Sequence, residues 1–199
     1  MRLIKVLLAA VVVVTGLGSV AASASPQGPW LPAVDLSAAG QNSDQPQVAF
    51  GDDGTAIAVW VRNDGTSNIV QAAIRPPGGA FGAGVDLSQA GENAGSPQVA
   101  FAPNGTATVI WSRLNGTHYI VQAATRPPGG AFGNPVDLSA TGQSALNAQI
   151  AVAADGTATV VWWRSDGTNR IIQAATRPPG GAFGDPVALS AAGQTAYSP

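Results

Sequence analysis

The stretch RPPGGAFG occupies residues 75–82, and it recurs unchanged at residues 126–133 and 177–184. Proline has no amide hydrogen to give to a β-ladder, so the Pro-Pro pair is expected to end a strand. Adjacent glycines let the chain reverse at little steric cost, and the phenylalanine is expected to return and anchor the corner. A motif that recurs three times at one interval therefore predicts a repeat protein, in which each copy of the motif forms the turn between two consecutive strands.

The rest of the chain keeps the same interval of 51 residues between copies. Counted from Pro46, whole units occupy residues 46–96, 97–147 and 148–198, and the chain stops at the first residue of a fourth. Residues 25–45 are predicted to form a short N-terminal segment that holds the last strand of a preceding unit, at 34–37. The repeated side chains that we expect to be structural are Trp60, Trp111 and Trp162, Arg62, Arg113 and Arg164, and Phe81, Phe132 and Phe183.

Two tight turns divide each unit into segments of strand length. In the first unit they are Asp53-Gly54 and Asp64-Gly65, and Asn-Gly or Asp-Gly stands at the equivalent places in the other two. Such dipeptides between apolar runs indicate β-hairpins, because the tight turns that match strand twist need positive φ. The segments of the first unit are QVAF, TAIAVWVR and NIVQAAIR, here called strands A, B and C, and a weaker strand D, GVDLS. The predicted fold class is all-β, with four antiparallel strands in each unit.

Four-stranded units of about 50 residues are typical of the blades of a β-propeller. Strand B is apolar on both faces, as expected when each sheet lies between two neighbours. Over residues 30–199 the chain resembles secreted bacterial β-propeller repeat proteins. Its Gly-Gly pair is similar to that of kelch repeats, without the Tyr and Trp that follow it there. The stretch at 155–162 is loosely similar to the Asp-box of sialidase-like propellers, where the aromatic residue follows the Asp more closely, so the resemblance implies the fold and no activity.

Three units do not close a ring, because propellers typically have four to eight blades. The expectation is therefore an incomplete propeller in a chain cut from a longer protein. Two alternatives remain open. If the chain is complete, two copies pair into a six-bladed homodimer, or the sheets form an open stack.

The N-terminus has the three parts of an export signal. Arg2 and Lys5 are basic, an apolar run follows, and the small-x-small pattern ends at Ala24. The apolar run is shorter than the roughly 20 residues of a membrane helix. Residues 1–24 are thus predicted to be a signal peptide cleaved near Ala24, with a retained N-terminal anchor as the alternative. The localisation predicted is secreted or cell-surface, with no membrane contact after cleavage.

The charge balance argues against a nucleic-acid partner. Cleavage near Ala24 leaves seven arginines against eleven acidic residues, and no basic cluster is visible. Anionic membranes are not expected as partners for the same reason. The chain has no cysteine, so stability outside the cell has to come from packing and not from disulfides.

Few residues suit catalysis. There is no cysteine, the one histidine is His118 beside a turn, and no metal-ligand pattern occurs, so neither a metal nor a cofactor is expected. Asp35, Asp86 and Asp137 follow the period, and Ala188 replaces the fourth; repetition in every unit favours a role in tying off strand D. The repeated arginines are expected to stack or pair between blades, with an arginine ring for anionic sugars as the alternative.

The copies differ most around the second hairpin of each unit. Four residues there, His118, Tyr119, Trp163 and Arg170, are predicted to form a binding face, since aromatic and arginine side chains dominate binding surfaces. The alternative is that exposed turns vary freely. The leading hypothesis is an exported, non-catalytic binding or scaffold module that recognises a glycan or a surface protein. The alternatives are a fragment of a sialidase-like or other glycan-processing enzyme, and a structural surface repeat with no specific ligand.

Overall fold

A computed structural model describes residues 32–191 and 193–196. Every described strand lies within residues 35–199, which form one compact unit. The predicted signal peptide and its cleavage near Ala24 lie outside the described residues. Within the described ranges, no helix is long and apolar enough to cross a membrane.

Twelve strands form three four-stranded antiparallel sheets, each in chain order, so the all-β prediction is confirmed. Sheet 1 contains β1 (Ser43–Phe50), β2 (Ala56–Asn63), β3 (Asn68–Arg75) and β4 (Val85–Asp86). Sheet 2 contains β5 (Ala94–Phe101), β6 (Ala107–Leu114), β7 (Tyr119–Arg126) and β8 (Val136–Asp137). Sheet 3 contains β9 (Ala145–Val152), β10 (Ala158–Ser165), β11 (Arg170–Arg177) and β12 (Val187–Ala188). These strands are A to D of each unit, in that order.

The repeated phrase forms the corner between strands C and D, as predicted. In sheet 1, Pro77 and Gly78 occupy the centre of a turn that the amide of Gly79 closes by donating to the carbonyl of Pro76, at 3.0 Å. Gly78 has a φ of +66°, in the left-handed region that a type II turn requires at its third residue. The amide of Gly82 then donates to the carbonyl of Ile74 at 2.9 Å and fixes the returning chain. The other two copies make equivalent hydrogen bonds.

Strand D is shorter than predicted, with two residues in each sheet. The Leu-Ser pair that follows explains why the strand ends. Leu87 enters the core, and the Ser88 hydroxyl accepts a hydrogen bond from the amide of Val70 at 2.9 Å in place of a ladder carbonyl. The hydroxyls of Ser139 and Ser190 do the same in sheets 2 and 3.

Each sheet has a front face, which carries the repeated Trp of strand B, and a back face, which carries the Leu after strand D. The back of sheet 1 packs on the front of sheet 2, and the back of sheet 2 packs on the front of sheet 3. The first core joins Val59 and Leu87 to Trp111, and the second joins Ile110 to Trp162. Stacked four-stranded meanders of this kind are the blades of a propeller, and the three described blades do not close a ring.

Three details differ from the sequence predictions. Residues 34–37, predicted to be a strand, form none. Strand A begins earlier than expected, at Ser43 in sheet 1, so it crosses the counted unit boundary at Pro46. Only sheet 2 is covered on both faces by other described sheets, whereas the sequence suggested that every sheet lies between two neighbours.

Candidate functional site

The strands labelled A lie side by side where the three sheets converge, and each carries the same backbone irregularity. A β-bulge interrupts the pairing of strand A with strand B in every sheet. The bulged residues are Gln45, Ser96 and Asn147, with φ of 52°, 54° and 55°. Non-glycine residues seldom adopt this left-handed region, which costs roughly 1–2 kcal/mol per residue. The cost is incurred at the same place in all three units.

The bulge in sheet 1 links two sheets. The Gln45 side-chain oxygen accepts a hydrogen bond from the amide of Ser96 at 2.6 Å. Around the bulges is an open groove of about 460 Å³, here called the amide groove. Its lining includes five carboxamide side chains, of Gln45, Gln47, Gln98, Asn147 and Gln149. These groups both donate and accept hydrogen bonds and carry no charge.

A second groove lies at the end of the sheets where strand B turns into strand C. It has a volume of about 540 Å³ and is here called the hairpin groove. It brings together His118 from the hairpin of sheet 2, Gln143 from the loop before sheet 3, and Trp163 and Arg170 from the hairpin strands of sheet 3. The Arg170 guanidinium carbon lies 4.5 Å from the centre of the Trp163 ring, within the range of a cation–π contact.

Three of the four residues predicted to bind a ligand therefore line one groove, and the fourth lies elsewhere. Tyr119 lines a groove at the equivalent hairpin end of sheet 2, together with Asn68, Asn93 and Ser112. The two grooves occupy the same place in the repeat but have different walls, since Ser112 stands where Trp163 stands in sheet 3. A role in binding for these four residues stays a prediction.

The repeated arginines of strand B are held by structural partners. Arg62 donates to the Gln41 side chain at 2.6 Å and lies 3.5 Å from Asp86. Arg113 pairs with Glu92 and lies 3.8 Å from Asp137. Arg164 donates to Gln143. The sequence predicted stacking or pairing between blades, whereas Arg62 and Arg113 pair with the repeated Asp of their own sheet.

The acceptors of these arginines were missed in the sequence although the period marks them. Gln41, Glu92 and Gln143 each precede their arginine by 21 residues. Glu92 is thus the ion-pair member of a set otherwise made of carboxamides. Each of these arginine contacts joins the loop before a sheet to strand B of that sheet.

The aspartates of the B–C turns also accept hydrogen bonds from their own turns. Asp64 accepts hydrogen bonds from the amides of Ser67 and Thr66, at 2.7 and 2.8 Å, and these bonds lower the pKa of Asp64 to about 2. Equivalent hydrogen bonds lower the pKa of Asp166. Neither groove is lined by a described Asp or Glu, and the described residues contain no group of three metal-ligating side chains.

Comparison with known proteins gives similarity at the level of solved structures alone. No protein-family model matches the chain, and no curated protein matches it. An endo-arabinase from Bacteroides thetaiotaomicron is 16% identical over 73% of this chain and 61% of its own, with a TM-score of 0.47. A glycosyl hydrolase from Bacteroides ovatus is 12% identical over 73% of this chain and 51% of its own, with a TM-score of 0.44. The chain thus spans between half and two thirds of these structures.

Proposed function

We propose that the chain is an exported, non-catalytic module that binds a glycan in the hairpin groove. The observation that carries the proposal is the convergence of His118, Trp163 and Arg170 in one groove. These are positions at which otherwise near-identical units differ. In the first unit the equivalent residues are Ser67, Val61 and Asn68. A groove that differs between copies of one scaffold suits recognition of one specific ligand.

The chemistry of the groove suits a sugar. An indole supplies an apolar platform, and Gln143, Ser144 and Asn169 supply polar groups along the wall. Arg170 adds planar donors that match a carboxylate, so an acidic sugar is the favoured class. The amide groove offers a second, uncharged surface for hydroxyl groups. Export is part of the proposal, and it rests on the predicted signal peptide.

The test uses variants that the chain itself supplies. The purified protein is screened against an array of neutral and acidic oligosaccharides, and hits are measured by calorimetry. The Trp163→Ser, Arg170→Asn and His118→Ser variants install residues that stand at the same positions in other units. We expect each of the first two to weaken binding by tenfold or more, since hot-spot aromatic and arginine residues contribute at least about 1.4 kcal/mol. Tyr119→Asn, in the neighbouring groove, is the matched control.

Two results would end the proposal. One is a screen in which no oligosaccharide binds. The other is an affinity that the triple variant leaves unchanged. The alternative, a glycan-processing enzyme, is tested on the same sample: release of shorter sugars from a bound oligosaccharide would replace the binding function with hydrolysis.

A further inference from the structure

The two ends of the stack of sheets expose faces that are buried elsewhere in the same molecule. On the back of sheet 3, Leu189 is 60% exposed, while the equivalent Leu87 and Leu138 on sheets 1 and 2 are 7% and 5% exposed. On the front of sheet 1, Val48 and Phe50 are 58% and 60% exposed. No other described element covers either face.

The exposed back face has the composition of the covered ones. Val161 stands where Ile110 packs against sheet 3, and Leu189 stands where Leu138 packs in the same core. The exposed front face matches equally well. Phe50 stands where Phe101 packs against the back of sheet 1. The two exposed faces are therefore the two halves of the interface that the chain already forms twice.

One position departs from this equivalence. Trp163 replaces Ser112, which is buried on the back of sheet 2, and the Arg170 guanidinium lies over the Trp163 ring. The indole lies in the same cross-strand row as Leu189, because Trp163 pairs with Ile172 and the Ile172 carbonyl accepts a hydrogen bond from the Leu189 amide. Val161 and Leu189 keep the aliphatic type of the covered interface, and Trp163 is larger than the serine it replaces.

We propose that the back of sheet 3 in one copy of this chain packs on the front of sheet 1 in a second copy. The contact is head-to-tail and reproduces the packing of sheet 2 on sheet 3. Because each copy has one face of each kind, two such contacts join two copies through six sheets, within the four to eight blades of closed propellers.

A polar contact across the covered interface shows what the new one contains. The Arg177 guanidinium, buried on the front of sheet 3, donates to the Thr108 hydroxyl of sheet 2 at 3.3 Å. The same positions in the uncovered faces are Arg75 and Thr159. In the assembly, Arg75 of one copy donates to Thr159 of the next. In the single chain, Arg75 lies over the ring of Phe50, 5.4 Å from its centre.

The test measures the mass of the purified protein in solution by light scattering at about 100 µM. Phe50→Asp places a charge on the front face, and Leu189→Asp places one on the back face. Both sites are exposed, so circular dichroism is expected to show unchanged folding. Native protein is expected at twice the mass of one chain, and each variant alone at the mass of one chain. Thr141→Asp, in an exposed loop away from both faces, is the control and keeps the native mass.

Mixing the two variants gives the sharpest outcome. The Phe50→Asp chain keeps an intact back face, and the Leu189→Asp chain keeps an intact front face. Their equimolar mixture regains one contact and is expected to form a one-to-one dimer. A native protein with the mass of one chain would overturn the proposal, and so would an assembly that both variants leave intact. His118→Ser, which tests glycan binding and lies in the hairpin of sheet 2, is expected to leave the mass unchanged, so the two proposals fail separately.

Discussion

Gln173 and Ala188 lie opposite each other on β11 and β12, at the place where the first two sheets pair a Gln with an Asp. In sheet 2 the Gln122 amide nitrogen donates to Asp137 at 2.6 Å, and the Gln122 oxygen accepts from the Trp111 indole at 3.1 Å. In sheet 1 Gln71 donates to Asp86 at 2.6 Å in the same way, but the Trp60 indole nitrogen has no hydrogen-bond partner among the described residues. In sheet 3 the Gln173 oxygen is buried without a hydrogen-bond partner among the described residues.

The first prediction is that Ala188→Asp stabilises the protein. The new carboxylate would hold the Gln173 amide as Asp86 and Asp137 hold theirs. In the arrangement of sheet 2 the Gln173 oxygen then accepts from the indole nitrogen of Trp162, which has no hydrogen-bond partner in the described part of the chain. We expect a gain of roughly 0.5–1.5 kcal/mol in the free energy of unfolding, the net value of one hydrogen bond. Urea unfolding measures it, and a shift of the Trp162 indole proton resonance reports the bond. Asp137→Ala, as the control, should lower the stability; an Ala188→Asp variant no more stable than native would contradict the prediction.

The second prediction compares two serines that make the same hydrogen bond at different depths. The Ser139 hydroxyl accepts from the amide of Val121 in sheet 2, which is covered on both faces, and the Ser190 hydroxyl accepts from the amide of Ile172 in sheet 3, which is covered on one face. Ser139→Ala leaves a buried amide unpaired and should cost about 1–3 kcal/mol. Ser190→Ala should cost less, because water reaches its half-buried site. Equal losses in paired denaturant titrations would contradict this account.

Strands B and C could be predicted to within a residue because the hairpin dipeptides and the Pro-Pro pair fix their ends locally. The early start of strand A could not, because its bulge depends on a neighbouring sheet: Gln45 bonds to Ser96, 51 residues later. The hairpin groove could be predicted in part, since His118, Trp163 and Arg170 differ from the equivalent residues of the other units, but the rest of its lining could not. The amide groove could not be predicted, because its bulged residues are distinguished by their positive φ, which their residue types do not reveal. A period search for polar positions would have found the acceptors of the arginines.

The third prediction concerns the corner phrase. Gly78→Ala forces a Cβ atom into the left-handed region at a φ of +66° and should lower the free energy of unfolding by about 1–2 kcal/mol. Gly142 is the control, because a Cβ atom there meets nothing within 4 Å and the backbone does not require positive φ. Gly142→Ala should be neutral or slightly stabilising. A thermal melt of both variants decides the matter, and a Gly78→Ala variant as stable as the native chain would refute the assigned turn.

The fourth prediction is a dependence of stability on acid. The pKa of Asp64 is lowered from 3.8 to about 2 by hydrogen bonds from Ser67 and Thr66. The unfolded chain therefore binds more protons between these values, and the stabilisation present above pH 4 is lost as the pH falls through 2. Asn115 accepts the same amide hydrogen bonds in sheet 2 without titrating. Asp64→Asn should thus lose less stability between pH 5 and pH 2 than the native protein.

The reciprocal change checks the sign of this effect. Asn115→Asp adds a titrating group to the equivalent turn and should make the decline with acid steeper. Urea unfolding at pH 7, 5, 3 and 2 measures all three proteins. Parallel curves for the three would show that the turn carboxylates do not govern acid sensitivity.

The corner after strand C also bears on ordered aggregation. An apolar strand such as β3 with a free outer edge is a template on which other chains can pair. Here the amide of Gly82 donates a hydrogen bond to the carbonyl of Ile74, and the hydroxyl of Ser88 accepts one from the amide of Val70. Neither group of β3 is then free to pair with another chain. Between them β4 pairs along only two residues, and the adjoining prolines cannot extend a ladder. Each unit therefore contains strand C, whose free edge would favour fibre growth, together with the corner and short strand D that block that edge.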